Sequence, residues 1–167
     1  NVFALECFLD ELAVFSHTDP LDYRLAMLSD PRARAVLSRA AAMAGWDRRG
    51  VAGSGTGLGL GFSRYKNRAG YGAVVAEVVV EQEVRVSRVW CAADAGLVIN
   101  PDGLINQLEG GIVQATSWVL KERVAFDAGG IASRNWDSYP ILRFSEVPEI
   151  ATELLDTGEH PSLGAGE

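Results

Sequence analysis

The sequence predicts an α+β fold in which an N-terminal helical unit is followed by a mostly antiparallel sheet with one long helix packed on it. Three observations lead to this prediction. The first third of the chain has helical periodicity, the middle contains β-branched runs separated by short turns, and a long amphipathic stretch follows Asn100. We therefore expect a helical segment at residues 1–47 and an α+β part at residues 48–167.

The helical segment contains three predicted helices, at residues 3–15, 20–28 and 31–44. The first carries Glu6 and Asp10 opposite an apolar face, a pattern typical of a helix that buries its apolar side. That apolar face consists of Leu5, Phe8, Leu9, Leu12 and Phe15. Asp19 and Asp30 each precede a proline, so we expect them to cap the second and third helices. Gly45 is placed to end the third helix.

The α+β part begins with a glycine-rich segment and continues with alternating or β-branched runs. Strands are expected at residues 57–62, 72–80, 84–92 and 150–155. The first would have one face bare of side chains, because glycine occupies every second position. The short connection at residues 81–83 predicts a hairpin, and the turn residues 127–130 predict another.

A long helix is predicted from residue 101 to about residue 121, with Asn100 as its cap. Its apolar stripe consists of Leu104, Leu108, Ile112, Ala115 and Val119. A different face carries Gln107, Gly110, Gly111 and Gln114, at spacings that bring them together. Two adjacent glycines inside a helix cost about 1 kcal/mol each relative to alanine. Two explanations are open: close approach of a ligand or another backbone, or tight packing of the helix on the sheet.

Composition and charge exclude several classes of function. The formal net charge of -7 disfavours nucleic acid as a partner, because an acidic surface repels phosphates. No apolar run reaches about 18 residues, so no membrane span is predicted. Cys7 and Cys91 are both expected to be buried, and His17 and His160 lie too far apart in the sequence to predict a metal site.

The glycine cluster at residues 53–57 does not fit a nucleotide-binding fingerprint. Leu58 and Leu60 occupy the positions where a third glycine would be needed, and no Gly-Lys-Ser/Thr follows. The cluster also leads into a predicted strand, whereas both phosphate-binding motifs lead into a helix. At the other end of the chain, Glu167 follows a sterically open Gly164-Ala165-Gly166 turn, which by itself indicates only an exposed terminus.

Taken together, several segments resemble the molybdenum-cofactor-binding large subunits of the xanthine dehydrogenase/aldehyde oxidase family of molybdenum hydroxylases. The resemblance is strongest to the isoquinoline 1-oxidoreductase β-subunit branch and covers nearly the whole chain. The matching segments are residues 3–13, 19–21, 89–102, 106–112, 137–144, 146–150 and 164–167. The resemblance implies that residues 48–167 are part of the cofactor-binding domain of a longer oxidoreductase subunit, truncated at both ends.

The resemblance also implies a cofactor, partners and site residues. It implies molybdopterin with molybdenum, in bacteria often as the cytosine dinucleotide, and an iron-sulfur small subunit that carries [2Fe-2S] clusters. Small aromatic N-heterocycles or aldehydes would be hydroxylated with water as the oxygen source. Gln107, Gly110 and Gly111 would bind the cofactor, and Glu167 would be the catalytic general base. No side chain of this chain is expected to bind the metal directly.

A hypothesis from another class is a non-catalytic α+β module that mediates subunit interaction. In that case the face with Gln107 would pack on protein and Glu167 would be solvent-exposed. The enzyme hypothesis instead requires Gln107 and Glu167 to meet at one open concavity.

Overall fold

The computed structural model describes residues 1–50, 53, 55–66, 69–155, 158 and 160–163. The helices are α1 (Val2–Phe15), α2 (Pro20–Met27), α3 (Pro31–Ala44) and α4 (Pro101–Leu120). The strands are β1 (Thr56–Tyr65), β2 (Gly70–Val80), β3 (Val84–Asp94), β4 (Phe126–Asp127), β5 (Gly130–Ile131) and β6 (Glu149–Leu154). Short 3-10 turns occur at Trp46–Arg48 and Phe144–Glu146. The α+β prediction is thus confirmed.

One four-stranded sheet organises the molecule, with the strand order β1-β2-β3-β6. Strands β1, β2 and β3 pair in antiparallel fashion, as predicted, while β6 pairs in parallel with β3. The register of β2 and β3 shifts between Glu77 and Val78, next to their hairpin turn. Strands β4 and β5 form the predicted second hairpin as a separate two-stranded sheet.

The sheet carries a helix on each side. Helix α3 packs on β2 and β3, and its Val36, Leu37 and Ala40 form a core with Val75 of β2 and Ala92 of β3. Helix α4 contacts β3 and β6. Successive side chains of a strand point to opposite faces, so the neighbours of Ala92 point away from α3, toward the α4 side. The predicted long helix on the sheet is confirmed, and α3 also packs on it.

The helix starts follow the predicted capping chemistry. The Asp19 carboxylate accepts a hydrogen bond from the Leu21 N–H at 2.8 Å, and the Asp30 carboxylate accepts one from the Arg32 N–H at 2.9 Å. Gly45 ends α3 in the left-handed conformation with φ 63°, which glycine adopts without strain. These local contacts explain why the boundaries of α2 and α3 lie close to those predicted.

The buried side of α1 differs from the predicted apolar face, of which only Leu9 and Leu12 are partly buried. Phe3 and Phe15 are 76% and 86% exposed, whereas Glu6 and Asp10 both bind the side chain of Arg24. Arg24 is itself 2% exposed, and a buried guanidinium needs carboxylate partners. The helix therefore turns its acidic side toward α2 and leaves much of its apolar side exposed, at Leu5, Phe8 and Phe15.

The predicted apolar stripe of α4 is correct only in its first half. Leu104, Leu108 and Ile112 are half-buried, but Val119 is 73% exposed. The buried side continues instead at Thr116 and Ser117. The Ser117 hydroxyl accepts a hydrogen bond from the Leu142 N–H at 3.0 Å and donates one to Glu122 at 2.6 Å. These bonds turn the last part of the helix toward the loop that follows it.

The two cysteines differ in environment, so the prediction that both are buried is wrong for Cys7. Cys91 is 3% exposed, whereas Cys7 lies on the exposed side of α1. Burial, and to a smaller extent the negative charge of Glu109 in α4, raises the pKa of the Cys91 thiol to about 11. Thiolate is the reactive form, so Cys91 is expected to be inert at neutral pH.

Alkylation with iodoacetamide at pH 8 is expected to modify Cys7 and to leave Cys91 unmodified until the protein is unfolded. Peptide mass spectrometry of the folded and the urea-unfolded protein measures both sites, and the unfolded sample serves as the control. Rapid modification of Cys91 in the folded protein would contradict the burial of β3 beneath α4.

No helix among the described residues is long and apolar enough to cross a membrane. Within the same ranges, no group of three or more histidine, cysteine, aspartate or glutamate side chains is placed to hold a metal ion.

Candidate functional site

An open groove of about 400 Å³ lies beside the first turns of α4. One wall is the segment that joins β3 to α4, and another includes Ser162 and Leu163. Its polar side chains are Asn100, Gln107 and Ser162, and much of the remaining lining is aliphatic. This composition suits an uncharged or heterocyclic ligand that needs a few hydrogen-bonding groups for orientation.

The start of α4 is shaped by Asn100 and Gly103. The Asn100 side chain accepts a hydrogen bond from the Gly103 N–H at 3.0 Å and so caps the helix, as predicted. A Cβ atom at position 103 would lie 2.9 Å from the Asn100 amide nitrogen, so glycine lets the cap close tightly. Gln107 follows one turn later, exposed at the groove.

The predicted Gln/Gly face of α4 is an open surface. Gln107, Gly110, Gly111 and Gln114 are all exposed. A Cβ atom added to Gly110 or Gly111 would meet no atom of the described residues within 4 Å. Tight packing on the described part of the sheet therefore does not account for the two glycines. The face instead offers a flat, unfilled surface with a carboxamide at each end.

The far wall of the groove is a short segment, residues 160–163, that pairs with the chain after β3. The Leu97 N–H donates to the His160 carbonyl at 2.9 Å, and the Leu163 N–H donates to the Ala95 carbonyl at 2.9 Å. Between them lies Gly96, with φ 71°. A Cβ atom there would overlap the backbone carbonyl of Pro161, so this close approach requires glycine.

Beneath this wall lies a buried ion pair. The Asp94 carboxylate accepts hydrogen bonds from Arg32 Nε at 2.8 Å and from Arg32 Nη2 at 2.6 Å, and a third from the Gly96 N–H at 2.9 Å. Burial alone raises the pKa of Asp94, but these hydrogen bonds outweigh it and hold the pKa below its ordinary value. Asp94 is therefore ionised at neutral pH.

The sequence-predicted site residues are thus partly located. Gln107, Gly110 and Gly111 share one exposed surface, and Gln107 reaches the groove. Glu167 and the predicted turn at residues 164–166 lie outside the described residues. Leu163, a groove residue, precedes Glu167 by four positions in the sequence.

Sequence reasoning missed the Arg32–Asp94 pair and the wall at residues 160–163. Asp94 did carry a signal, because it is an acidic residue at the end of an apolar strand, where a buried charge needs a partner. The sequence does not identify Arg32 as the partner of Asp94, since the two residues are 62 positions apart.

Comparisons with known proteins show which family the sequence of this chain resembles. The profile of the molybdopterin cofactor-binding domain family matches residues 20–148. A nicotinate dehydrogenase chain of Pseudomonas putida is 39% identical over 100% of this chain and 15% of its own length. The β subunit of isoquinoline 1-oxidoreductase from Brevundimonas diminuta is 43% identical over 94% of this chain and 20% of its own length.

A similar solved structure is quinoline 2-oxidoreductase from Pseudomonas putida 86, with a TM-score of 0.46 and 31% identity. The match covers 53% of this chain and 12% of that one. The chain thus spans about one fifth or less of the length of these relatives. The family profile covers most of the chain, and we conclude that the chain belongs to the molybdopterin cofactor-binding domain family of the xanthine dehydrogenase-type molybdenum oxidoreductases.

Proposed function

We propose that this chain works as part of a longer molybdenum hydroxylase subunit, in which the Gln/Gly face of α4 and the adjoining groove hold molybdopterin. The observation that carries the proposal is the open space above Gly110 and Gly111, beside an exposed Gln107. Helix glycines that destabilise the helix and meet no packing partner are expected where another molecule approaches closely.

The side chains that are present suit such a cofactor. A pterin ring is flat and has hydrogen-bond donors and acceptors along its edge. A glutamine carboxamide supplies both a donor and an acceptor, and a glycine surface lets a flat ring approach the helix backbone. Gln107 would therefore orient the cofactor, while Gly110 and Gly111 would leave room for it. The cytosine dinucleotide form of the cofactor is part of the proposal.

The proposed reaction is hydroxylation of an N-heteroaromatic ring or an aldehyde, with water as the oxygen source. Two relatives are named for nicotinate and isoquinoline, both of which are N-heteroaromatic compounds. When bound, the molybdenum cofactor would supply the redox chemistry. The carboxylate of Glu167 would accept the proton from the water-derived oxygen that attacks the substrate. A partner subunit with [2Fe-2S] clusters would carry the electrons away.

A second candidate function is a non-catalytic module for subunit interaction. It is favoured by the exposed apolar side of α1, which includes Phe3, Leu5, Phe8 and Phe15. Large uncovered apolar surfaces mark protein contacts. Cofactor content separates the two candidates, because the interaction module would not need the Gln/Gly face of α4 to be free.

Gly110→Val in the longer subunit is expected to lower molybdenum and pterin content by about five- to 150-fold, as overpacking costs about 1–3 kcal/mol. Elemental analysis and pterin fluorescence of the purified protein measure the content. Ala35→Val, at an exposed position of α3, places the same β-branched residue in a helix and should leave the content unchanged.

A smaller substitution at the same glycine is expected to stabilise the fold. Gly110→Ala should raise the free energy of unfolding of this chain by about 1 kcal/mol, because its Cβ meets open space.

Unchanged cofactor content in the Gly110→Val subunit, or a wild-type subunit that holds neither molybdenum nor pterin, would refute the proposed function.

A further inference from the structure

We propose that Arg32 and Asp94 are positioning residues for the groove beside α4. Their ion pair would fix the segment between β3 and α4 and, through it, the wall at residues 160–163. The inference rests on the proposed function in one respect, since it assigns the ligand of the groove as molybdopterin.

The ion pair is built as a rigid unit. Two nitrogens of the Arg32 guanidinium bind the two oxygens of Asp94, at 2.8 and 2.6 Å. The guanidinium also lies 4.6 Å from the ring centre of Tyr71, whose hydroxyl donates to Asp30 at 2.7 Å. Asp30 in turn caps the helix that carries Arg32. Arginine is suited to this place, because its planar fork matches a carboxylate and stacks on a ring.

Asp94 transmits this rigidity to the groove. It is the last residue of β3, and its carboxylate also holds the Gly96 N–H at 2.9 Å. Gly96 lies between Ala95 and Leu97, the two residues whose backbones bind the wall segment. A shift of Asp94 would therefore move both backbone hydrogen bonds to residues 160–163. The same shift would move the wall that contains Ser162 and Leu163 relative to Gln107.

A second ion pair provides the comparison that separates positioning from simple stabilisation. The Arg24 side chain is 2% exposed, against 13% for Arg32, and it binds Glu6 at 2.9 Å and Asp10 at 2.7 Å. It joins α1 to α2, and neither it nor its partners line the groove. Conservative substitution of Arg24 and of Arg32 by lysine thus disturbs two largely buried guanidinium groups that bind carboxylates, only one of which supports the groove.

The test uses the longer subunit with Arg32→Lys, Asp94→Asn and, as the matched control, Arg24→Lys. Arg32→Lys and Asp94→Asn are expected to lower molybdenum content about tenfold, the size of effect that supporting residues have at metal sites. They are also expected to accelerate hydrogen exchange of the Leu97 and Leu163 amides about tenfold or more, since local opening exposes these bonds. Arg24→Lys should change neither quantity appreciably, although it also destabilises the fold.

Hydrogen exchange distinguishes the failure of this inference from failure of the proposed function. If the wild-type subunit lacks molybdenum, the proposed function is wrong, and exchange at Leu97 and Leu163 still decides whether the pair positions the wall. The positioning role is overturned if these two amides exchange at the wild-type rate in Arg32→Lys and Asp94→Asn. It is equally overturned if Arg24→Lys accelerates them as much. Asp94→Asn keeps the shape of the side chain and an oxygen that can accept the Gly96 N–H. It therefore provides the test of the positioning role if Arg32→Lys does not fold.

Discussion

Glu167→Gln in the longer subunit is expected to lower turnover by about 10²–10⁴-fold, the contribution of a positioned general base. Glutamine has nearly the same shape as glutamate but cannot accept the proton. Because the proposed role of Glu167 is proton transfer rather than cofactor binding, molybdenum content should stay near the wild-type value. Steady-state kinetics with an N-heteroaromatic substrate, together with elemental analysis of the same preparation, measures both quantities.

The matched control for this prediction is Glu83→Gln, an exposed glutamate in the turn between β2 and β3. It should leave turnover unchanged. Near-normal turnover of Glu167→Gln would remove the general-base assignment. A parallel loss of molybdenum would instead show that Glu167 acts in cofactor binding.

Arg24→Met is expected to lower the free energy of unfolding by about 3 kcal/mol, because it removes the partner of carboxylates that α1 turns inward. The lower end of the usual range applies, since the Asp10 side chain remains 45% exposed to solvent. Urea denaturation monitored by circular dichroism measures the change. Arg39→Met is the control, because the Arg39–Glu153 pair is 47% and 41% exposed, and solvent screening leaves such a pair little contribution to stability.

Equal losses for Arg24→Met and Arg39→Met would contradict this account of α1. They would mean that the acidic side of the helix is held by something other than the buried guanidinium.

The helices and strands could be predicted because their signals are local. Asp19 and Asp30 cap helices within three residues of themselves, and Gly45 ends α3 by its own conformation. The β2–β3 hairpin likewise depends on adjacent runs joined by a short turn. The parallel pairing of β6 with β3 is not local, and nothing in the sequence of residues 149–154 distinguishes it from antiparallel pairing.

The orientation of α1 could not be predicted from its periodicity. Amphipathicity identifies which side of a helix is apolar, but not which side this chain covers. Here the decisive group is Arg24, 18 positions from Glu6, and a single buried guanidinium outweighs the apolar pattern.

In the candidate site, too, the features that depend on nearby residues could be predicted and those that depend on distant residues could not. Gln107, Gly110 and Gly111 could be grouped from the sequence because they lie within two turns of one helix. The groove beside them could not, since its far wall comes from Ser162 and Leu163, more than fifty positions later. The close approach of that wall depends on the missing Cβ of Gly96, which in the sequence looks like an ordinary turn glycine.

An experimental structure of the cofactor-loaded longer subunit tests the central claim most directly. We expect the Gln107 carboxamide to lie within about 3 Å, a hydrogen-bond distance, of the molybdenum cofactor. The backbone at Gly110 and Gly111 should contact the cofactor, and the Glu167 carboxylate should face the same groove. A structure in which this face of α4 is covered by protein, with the cofactor elsewhere, would contradict the account.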